Sequence, residues 1–112
     1  MVLSDDDLRY YMARAIRLAK QSPFGIRRPF VGALVVSESG ILVGEGWKTL
    51  LDGTNLTVHA ERVALNNAEE SANRGYLFST LEPCVKTHDD SIFRPCAELA
   101  VERGIHTVVI GL

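Results

Sequence analysis

Three side chains able to hold a transition metal, His59, Cys84 and Cys96, are spread over the stretch Val58 to Cys96. They meet only if two helix starts and a strand end converge. One imidazole and two thiols are ligands of the kind zinc takes, and three protein ligands leave a fourth position open for water. Glu61, close behind the histidine, offers a carboxylate that could serve that water as a base. Each residue also has an ordinary reading. A first-turn glutamate favours the helix dipole, and a histidine caps or packs. The cysteines, separated by positions 85–95, are no short CxxC pair, and two cysteines suffice for a disulfide. The elements around them decide how the four are read together.

Ser4 followed by Asp5, Asp6 and Asp7 predicts a helix start, with a capping hydroxyl and acids at the positive end of the dipole. Leu8, Tyr11, Met12, Ala15, Ile16, Leu18 and Ala19 recur at helical spacing and predict one buried stripe. Pro23 and Gly25 end this helix. Phe30–Val36 and Ile41–Trp47 flank the turn Ser37–Gly40 and predict an antiparallel hairpin. Gly32 either relieves crowding between strand and helix or lets backbone approach a ligand. Lys48 to Thr57 reads as a polar connection in which Lys48, Thr49 and Asn55 either belong to a plain solvated loop or meet a substrate at a pocket mouth.

A second helix runs from Thr57 or Val58 toward Ala72, with His59 and Glu61 in its first turn. Tyr76 to Leu81 reads as a buried strand, and Glu82-Pro83-Cys84 follows its C-terminal end, where ligands bind in parallel α/β sheets. Cys96 to Arg103 is helical in composition, closed by Gly104, so Cys96 stands at a helix start that favours a thiolate. His106 to Ile110 reads as a fourth strand, an exposed edge unless something covers it, which makes a homo-oligomer an expectation.

With 112 residues the chain has length for one domain and one core, 1–112. Twelve basic and 14 acidic side chains leave a net charge of −2, which argues against broad nucleic-acid coating. Arg9, Arg14, Arg17, Lys20, Arg27 and Arg28 follow one another with no acid between them, either a solvated face or a patch for a substrate phosphate. No signal-peptide pattern and no membrane-length apolar run is present, so a cytoplasmic location with reduced cysteines is expected.

The pieces His59-Ala60-Glu61, Pro83-Cys84 and Cys96 occur in order with Val31–Val36, Gly40–Gly46 and Thr80-Leu81-Glu82-Pro83-Cys84. Together they resemble the cytidine deaminase-like zinc deaminases over nearly all of the chain. The resemblance implies a three-layer α/β/α fold with a mixed four-stranded sheet, short of the usual continuation through another helix and a fifth strand. It implies Zn2+ on His59, Cys84 and Cys96, with Glu61 moving protons without binding the metal. It implies hydrolytic deamination of an amino-pyrimidine base, nucleoside or nucleotide, with ammonia released. Backbone near Ala60 and Pro83-Cys84 would grip the base. Phe30 and Trp47 are each either ordinary aromatic core packing or a face that packs against the base.

Within that superfamily the chain is most similar to the pyrimidine deaminase domain of riboflavin biosynthesis. Tyr11–Lys20, Gly44-Glu45-Gly46 and the long gap between the cysteines carry that likeness. Transfer-RNA adenosine deaminases share the Thr80–Cys84 pattern but usually have two residues between their cysteines. Two segments depart from the riboflavin-type pattern. Arg28-Pro29-Phe30-Val31-Gly32 stands for its Asn-Pro-Asn-Val-Gly, and Lys86–Pro95 for its histidine-rich insert. That second segment is either a surface excursion or a closure over a sugar or phosphate through Lys86, His88 or Arg94. Two other functions compete: a nucleic-acid base deaminase, which needs a basic channel and stacking residues, and an inactive zinc-stabilised interaction module, for which Glu61 has no use.

Overall fold

The computed structural model describes residues 3–22, 30–51, 57–81 and 95–111. Helix α1 covers Asp5–Ala19 and begins as its sequence dictates. The Ser4 hydroxyl accepts from the Asp7 N–H at 3.1 Å, and the Asp7 carboxylate accepts from the Ser4 N–H at 3.1 Å, a reciprocal capping box. Ala15 and Ala19 are buried, while Leu8, Tyr11, Met12 and Leu18 are half-buried against the core. Ile16 is 49% exposed, so the buried stripe is narrower than its apolar residues suggest.

Strands β1 (Gly32–Val36) and β2 (Leu42–Trp47) form the expected hairpin, antiparallel with Gly32 opposite Trp47. Two short strands follow, β3 (Thr49–Leu50) and β4 (Thr57–Val58), paired with each other in a separate two-stranded sheet. Thr57 and Val58 are therefore strand, not helix. Their backbone groups are held by Leu50 and Thr49, and α2 starts later, at Ala60. It ends at Ala68, and a 3-10 turn carries the chain over Glu69–Ala72. Strand β5 (Tyr76–Ser79), helix α3 (Cys96–Glu102) and strand β6 (Thr107–Ile110) complete the described elements.

The main sheet has the order β2-β1-β5-β6. β1 is antiparallel to both neighbours, whereas β5 and β6 are parallel, so the sheet is mixed. Strand alternation divides the core in two. Leu34, Val36 and Phe78 face α1 together with Leu3 and Ala15. Ala33, Val35 and Leu77 face α2 and α3, packing with Ala60, Ala64, Leu65, Leu99 and Ala100. Helices on both faces of a mixed sheet are the three layers expected from the sequence. Leu34, Leu65, Leu77, Phe78 and Leu99 are fully buried, each contributing about 1.5–3 kcal/mol by leaving water.

Small residues set how closely the layers approach. A Cβ on Gly32 would run into the Ala15 carbonyl and the Ala19 N–H of α1. This supports the crowding explanation for Gly32. On the other face, a Cβ on Gly46 would stand 2.6 Å from the Ala60 carbonyl oxygen and 2.7 Å from the Ala64 nitrogen. The first turn of α2 therefore lies directly on β2. At the far edge, β6 leaves Val108 and Ile110 each 41% exposed.

Candidate metal centre

His59 is the N-cap of α2, with extended backbone (φ −71°, ψ 148°). Its ring makes no capping hydrogen bond. Its Nδ1 instead lies 3.5 Å from the Cys96 Sγ. Cys96 is the first residue of α3 and 1% exposed. Glu61, in the first turn of α2, is 4% exposed. The ligand-capable atoms of His59, Glu61 and Cys96 all lie within 4.8 Å of one another. Two helix starts thus converge as the sequence requires.

The spacing suits the metal that the donor set implies. With Zn–S near 2.3 Å and Zn–N near 2.0–2.1 Å, two ligands of a tetrahedral zinc stand roughly 3.5 Å apart. The Cys96–His59 separation matches that figure. His59, Cys96 and a further thiolate therefore fit a zinc ion, and Cys84, which would supply it, lies outside the described residues.

Burial pushes the Glu61 carboxyl up to about 7, against the lowering effect of hydrogen bonds from its own backbone and from Cys96. A carboxyl with that affinity holds and releases a proton near neutral pH.

Contacts at the ends of the helices hold the cluster. Arg103, just past α3, donates through one Nη to the Leu65 carbonyl at 2.9 Å and through the other to the Asn66 side-chain oxygen at 2.8 Å. It ties the rear of α2 to the rear of α3, whose starts carry the cluster. On the opposite face of the sheet, Arg14 of α1 pairs with Glu45 of β2, with Nε–Oε2 at 2.5 Å and Nη2–Oε1 at 3.0 Å. Arg14 is thus engaged with a carboxylate, and Arg9 stands 3.8 Å from Asp6. Arg27 and Arg28 of the same basic series lie outside the described residues.

The other candidates are distributed as follows. Ala60 is fully buried at the start of α2. Phe30 precedes β1 and is 42% exposed. Trp47 lines a groove of about 670 Å³ at the outer edge of β2, with Leu42, Val63 and Asn67 among its walls, and none of His59, Glu61 and Cys96 takes part in it. Lys48 has its N–H on the Val31 carbonyl at 3.0 Å and its carbonyl on the Ser22 hydroxyl at 2.8 Å, which fixes its backbone between α1 and β1. Asn55, Lys86, His88 and Arg94 lie outside the described residues.

Of two hydroxyls at the exit of β5, Thr80 belongs to the Thr80–Cys84 pattern and Ser79 escapes a motif-based reading. Ser79 is fully buried, and its Oγ donates to the Leu81 carbonyl at 2.5 Å. The Thr80 Oγ1 accepts from the Gly32 N–H at 3.2 Å. The signal in the sequence is slight: a serine where the apolar strand Tyr76-Leu77-Phe78 would otherwise continue.

Comparison with known proteins agrees with this geometry. A family model described as the cytidine and deoxycytidylate deaminase zinc-binding region matches residues 5–112. The diaminohydroxyphosphoribosylamino-pyrimidine deaminase of Buchnera aphidicola subsp. Schizaphis graminum is 41% identical over 104 residues, which make up 92% of this chain and 65% of that protein. The riboflavin biosynthesis protein RibD of Actinobacillus pleuropneumoniae is 39% identical over 102 residues, 90% of this chain and 25% of that protein. The solved structure of Acinetobacter baumannii RibD superposes with a TM-score of 0.72 at 33% identity, covering 94% of this chain and 28% of that one. The chain thus spans just under two thirds of the first relative and about a quarter of the other two.

Proposed function

The chain belongs to the cytidine and deoxycytidylate deaminase zinc-binding family, and on that footing we propose that residues 1–112 form one domain that removes the amino group of a pyrimidine by hydrolysis, releasing ammonia. The observation that carries the reading is the cluster in which the His59 Nδ1 and the Cys96 Sγ stand 3.5 Å apart beside the carboxyl of Glu61, with Cys96 and Glu61 buried and His59 half-buried. In this proposal His59, Cys84 and Cys96 hold zinc. Zinc there supplies Lewis acidity that brings the pKa of a water into the neutral range.

The rest of the chemistry falls to the chain's own groups. The Glu61 carboxylate takes one proton from the attacking water and passes it to the ring nitrogen, then takes the second from the hydroxyl newly joined to the ring carbon and passes it to the departing amine. Water and the amino-pyrimidine become the carbonyl product and ammonia, so the glutamate ends as it began. Burial of Glu61 and Cys96 keeps bulk water away from the exchange. The fully buried Ala60 packs the first turn of α2 on β2 and so fixes the glutamate's backbone.

For the substrate we propose an amino-pyrimidine nucleotide of the kind named for the Buchnera relative, a phosphoribosylamino-pyrimidine. Lys86, His88 and Arg94 supply the positive charge a phosphate needs, Asn55 and Lys48 polar contacts, and Phe30 or Trp47 an apolar face for the ring. The reading includes a homo-oligomer, for which Val108 and Ile110 on the edge strand β6 offer apolar surface.

The test is zinc content by elemental analysis together with ammonia release from cytosine, cytidine, CMP, dCMP and the diamino-pyrimidine ribonucleotide. Turnover of the last with bound zinc is expected. Full zinc occupancy with no ammonia from any of them would establish the interaction module instead. A monomer mass by light scattering would remove the oligomer from the proposal.

A further inference from the structure

His59 and Glu61 are two residues apart, and side chains at that spacing within a helix point to different faces. They meet here because His59 is the N-cap of α2 and keeps an extended backbone, while Glu61 belongs to the first helical turn. Cys96 arrives from the start of α3. Its Sγ stands 3.5 Å from the His59 Nδ1, and a hydrogen bond joins it to the Glu61 carboxyl. One nitrogen, one oxygen and one sulfur thus converge, all within 4.8 Å of one another. Packing fixes the elements that carry them: α2 lies on Gly46, and Arg103 ties α2 to α3. An ion entering the cluster therefore meets donors already in place, with little ordering left to offset its binding.

Charge decides which ion suits such a group. Glu61 and Cys96 are buried, and a carboxylate or thiolate withdrawn from water needs a partner of opposite charge. Both helices begin at the cluster, and their positive ends oppose a bare cation. One carboxylate and one thiolate on a doubly charged ion leave the whole neutral, which removes that opposition. Distance allows the carboxylate to bind. An ion with oxygen at about 2.1 Å and sulfur at about 2.3 Å holds the two about 3.6 Å apart at the tetrahedral angle. The Glu61 oxygen has at most about 1.2 Å to close, and rotation about its terminal bonds supplies that movement.

We propose that His59, Glu61 and Cys96 form by themselves a complete three-donor site for a divalent transition ion, with the Glu61 carboxylate as third ligand when no second thiolate is on the metal. A mixed set of imidazole, carboxylate and thiolate suits zinc. The proposal rests on His59 and Cys96 as ligands of the metal centre described above and gives Glu61 a second role. The two roles exclude one another, because a carboxylate bound to the ion takes no proton from water. The site captures metal using α2 and α3 alone, and in that state it is catalytically silent.

The experiment is a double-mutant cycle in the full chain: wild type, Glu61→Gln, Cys84→Ala and the double variant. Zinc dissociation constants are measured by competition with a chromogenic chelator, and the cobalt-loaded forms are compared by absorption. Glu61→Gln alone should leave the dissociation constant unchanged. Cys84→Ala should still bind zinc. Adding Glu61→Gln to it should raise the dissociation constant by more than about 100-fold, beyond what loss of a ligand's outer partner costs, and should alter the cobalt spectrum. Cys84→Ser, closer in size, carries the same comparison should Cys84→Ala lose its fold by circular dichroism. An equal loss from Glu61→Gln in both backgrounds would overturn the proposal, since it marks a nearby charge and not a ligand. So would a double variant that binds as tightly as Cys84→Ala. A folded Cys84→Ala chain empty of zinc beside a zinc-loaded wild type would refute this proposal alone, whereas a wild type without zinc would refute the metal centre itself.

Discussion

Replacing Gly46 by alanine tests how the site is built. The added Cβ would stand 2.6 Å from the Ala60 oxygen and 2.7 Å from both the Ala64 nitrogen and the Val63 Cβ, whereas ordinary contact begins at 3.4 Å. Two of these three atoms are backbone, so no rotamer change relieves the clash. The start of α2 must lift from β2 by about 0.8 Å, carrying His59 and Glu61 with it. Cys96, on α3, receives no such push. The site tolerates about 0.5 Å of misplacement, and a shift near 1 Å costs about 100-fold in rate. We expect kcat/KM to fall by roughly that factor, zinc affinity to weaken, and stability to drop by about 1–3 kcal/mol, a fall in Tm of about 4–15 °C. Gly44→Ala is the control. Its Cβ would meet the Ala64 carbonyl and the Ala68 nitrogen, farther along α2. It should destabilise comparably while costing less activity. Thermal denaturation, chelator competition and steady-state ammonia release make the comparison. Wild-type Tm and kcat/KM in Gly46→Ala would refute the close seating of α2 on β2.

Other outcomes follow from the same geometry. Glu61→Gln should keep its zinc and lose about 10²–10⁴ in kcat; ordinary turnover in that variant would remove the glutamate from the proton path. In the metal-free chain, Glu61 has a folded pKa of about 7 against an ordinary 4.5. The stability tied to its protonated form is therefore fully present below pH 4.5 and lost as pH rises through 7, on the order of 3 kcal/mol, and Glu61→Gln should flatten that slope in urea titrations. Glu69 ends α2 with φ 51° and ψ −132°, a backbone region that favours glycine; Glu69→Gly should raise stability by about 1 kcal/mol, read from the denaturation midpoint. Arg103→Ala removes the link to Leu65 and Asn66 and should cost about 1–2 kcal/mol, with a measurable loss of zinc affinity.

The individual elements are specified by signals local to the chain. Ser4 and Asp7 specify the start of α1, a short apolar run specifies β1, a β-branched run specifies β6, and Gly104, with φ 77°, ends α3. These signals are local: a cap, an alternation or a left-handed turn is written in residues a few positions apart. The chemical character of His59, Glu61, Cys84 and Cys96 was legible for the same reason, since ligand chemistry belongs to the side chain and not to its surroundings.

Where those elements meet is set by long-range packing. Two-residue strands carry no periodicity, so the pairing of Thr49–Leu50 with Thr57–Val58 leaves no trace in the sequence. That pairing nevertheless moves the helix start to Ala60 and makes His59 its cap. Ile16 has helical spacing yet stays exposed, because the sheet meets a narrower arc of α1 than the apolar residues span. The bonds from Arg14 to Glu45 and from Arg103 to Leu65 join residues far apart in sequence and depend on which faces the sheet order brings together. Ser79 looks like a lapse in an apolar strand until its register beside Ala33 and its bond to Leu81 are seen. The identity of the donors is a local property, but their 3.5 Å approach depends on strand order, register and the small residues that let α2 lie on β2.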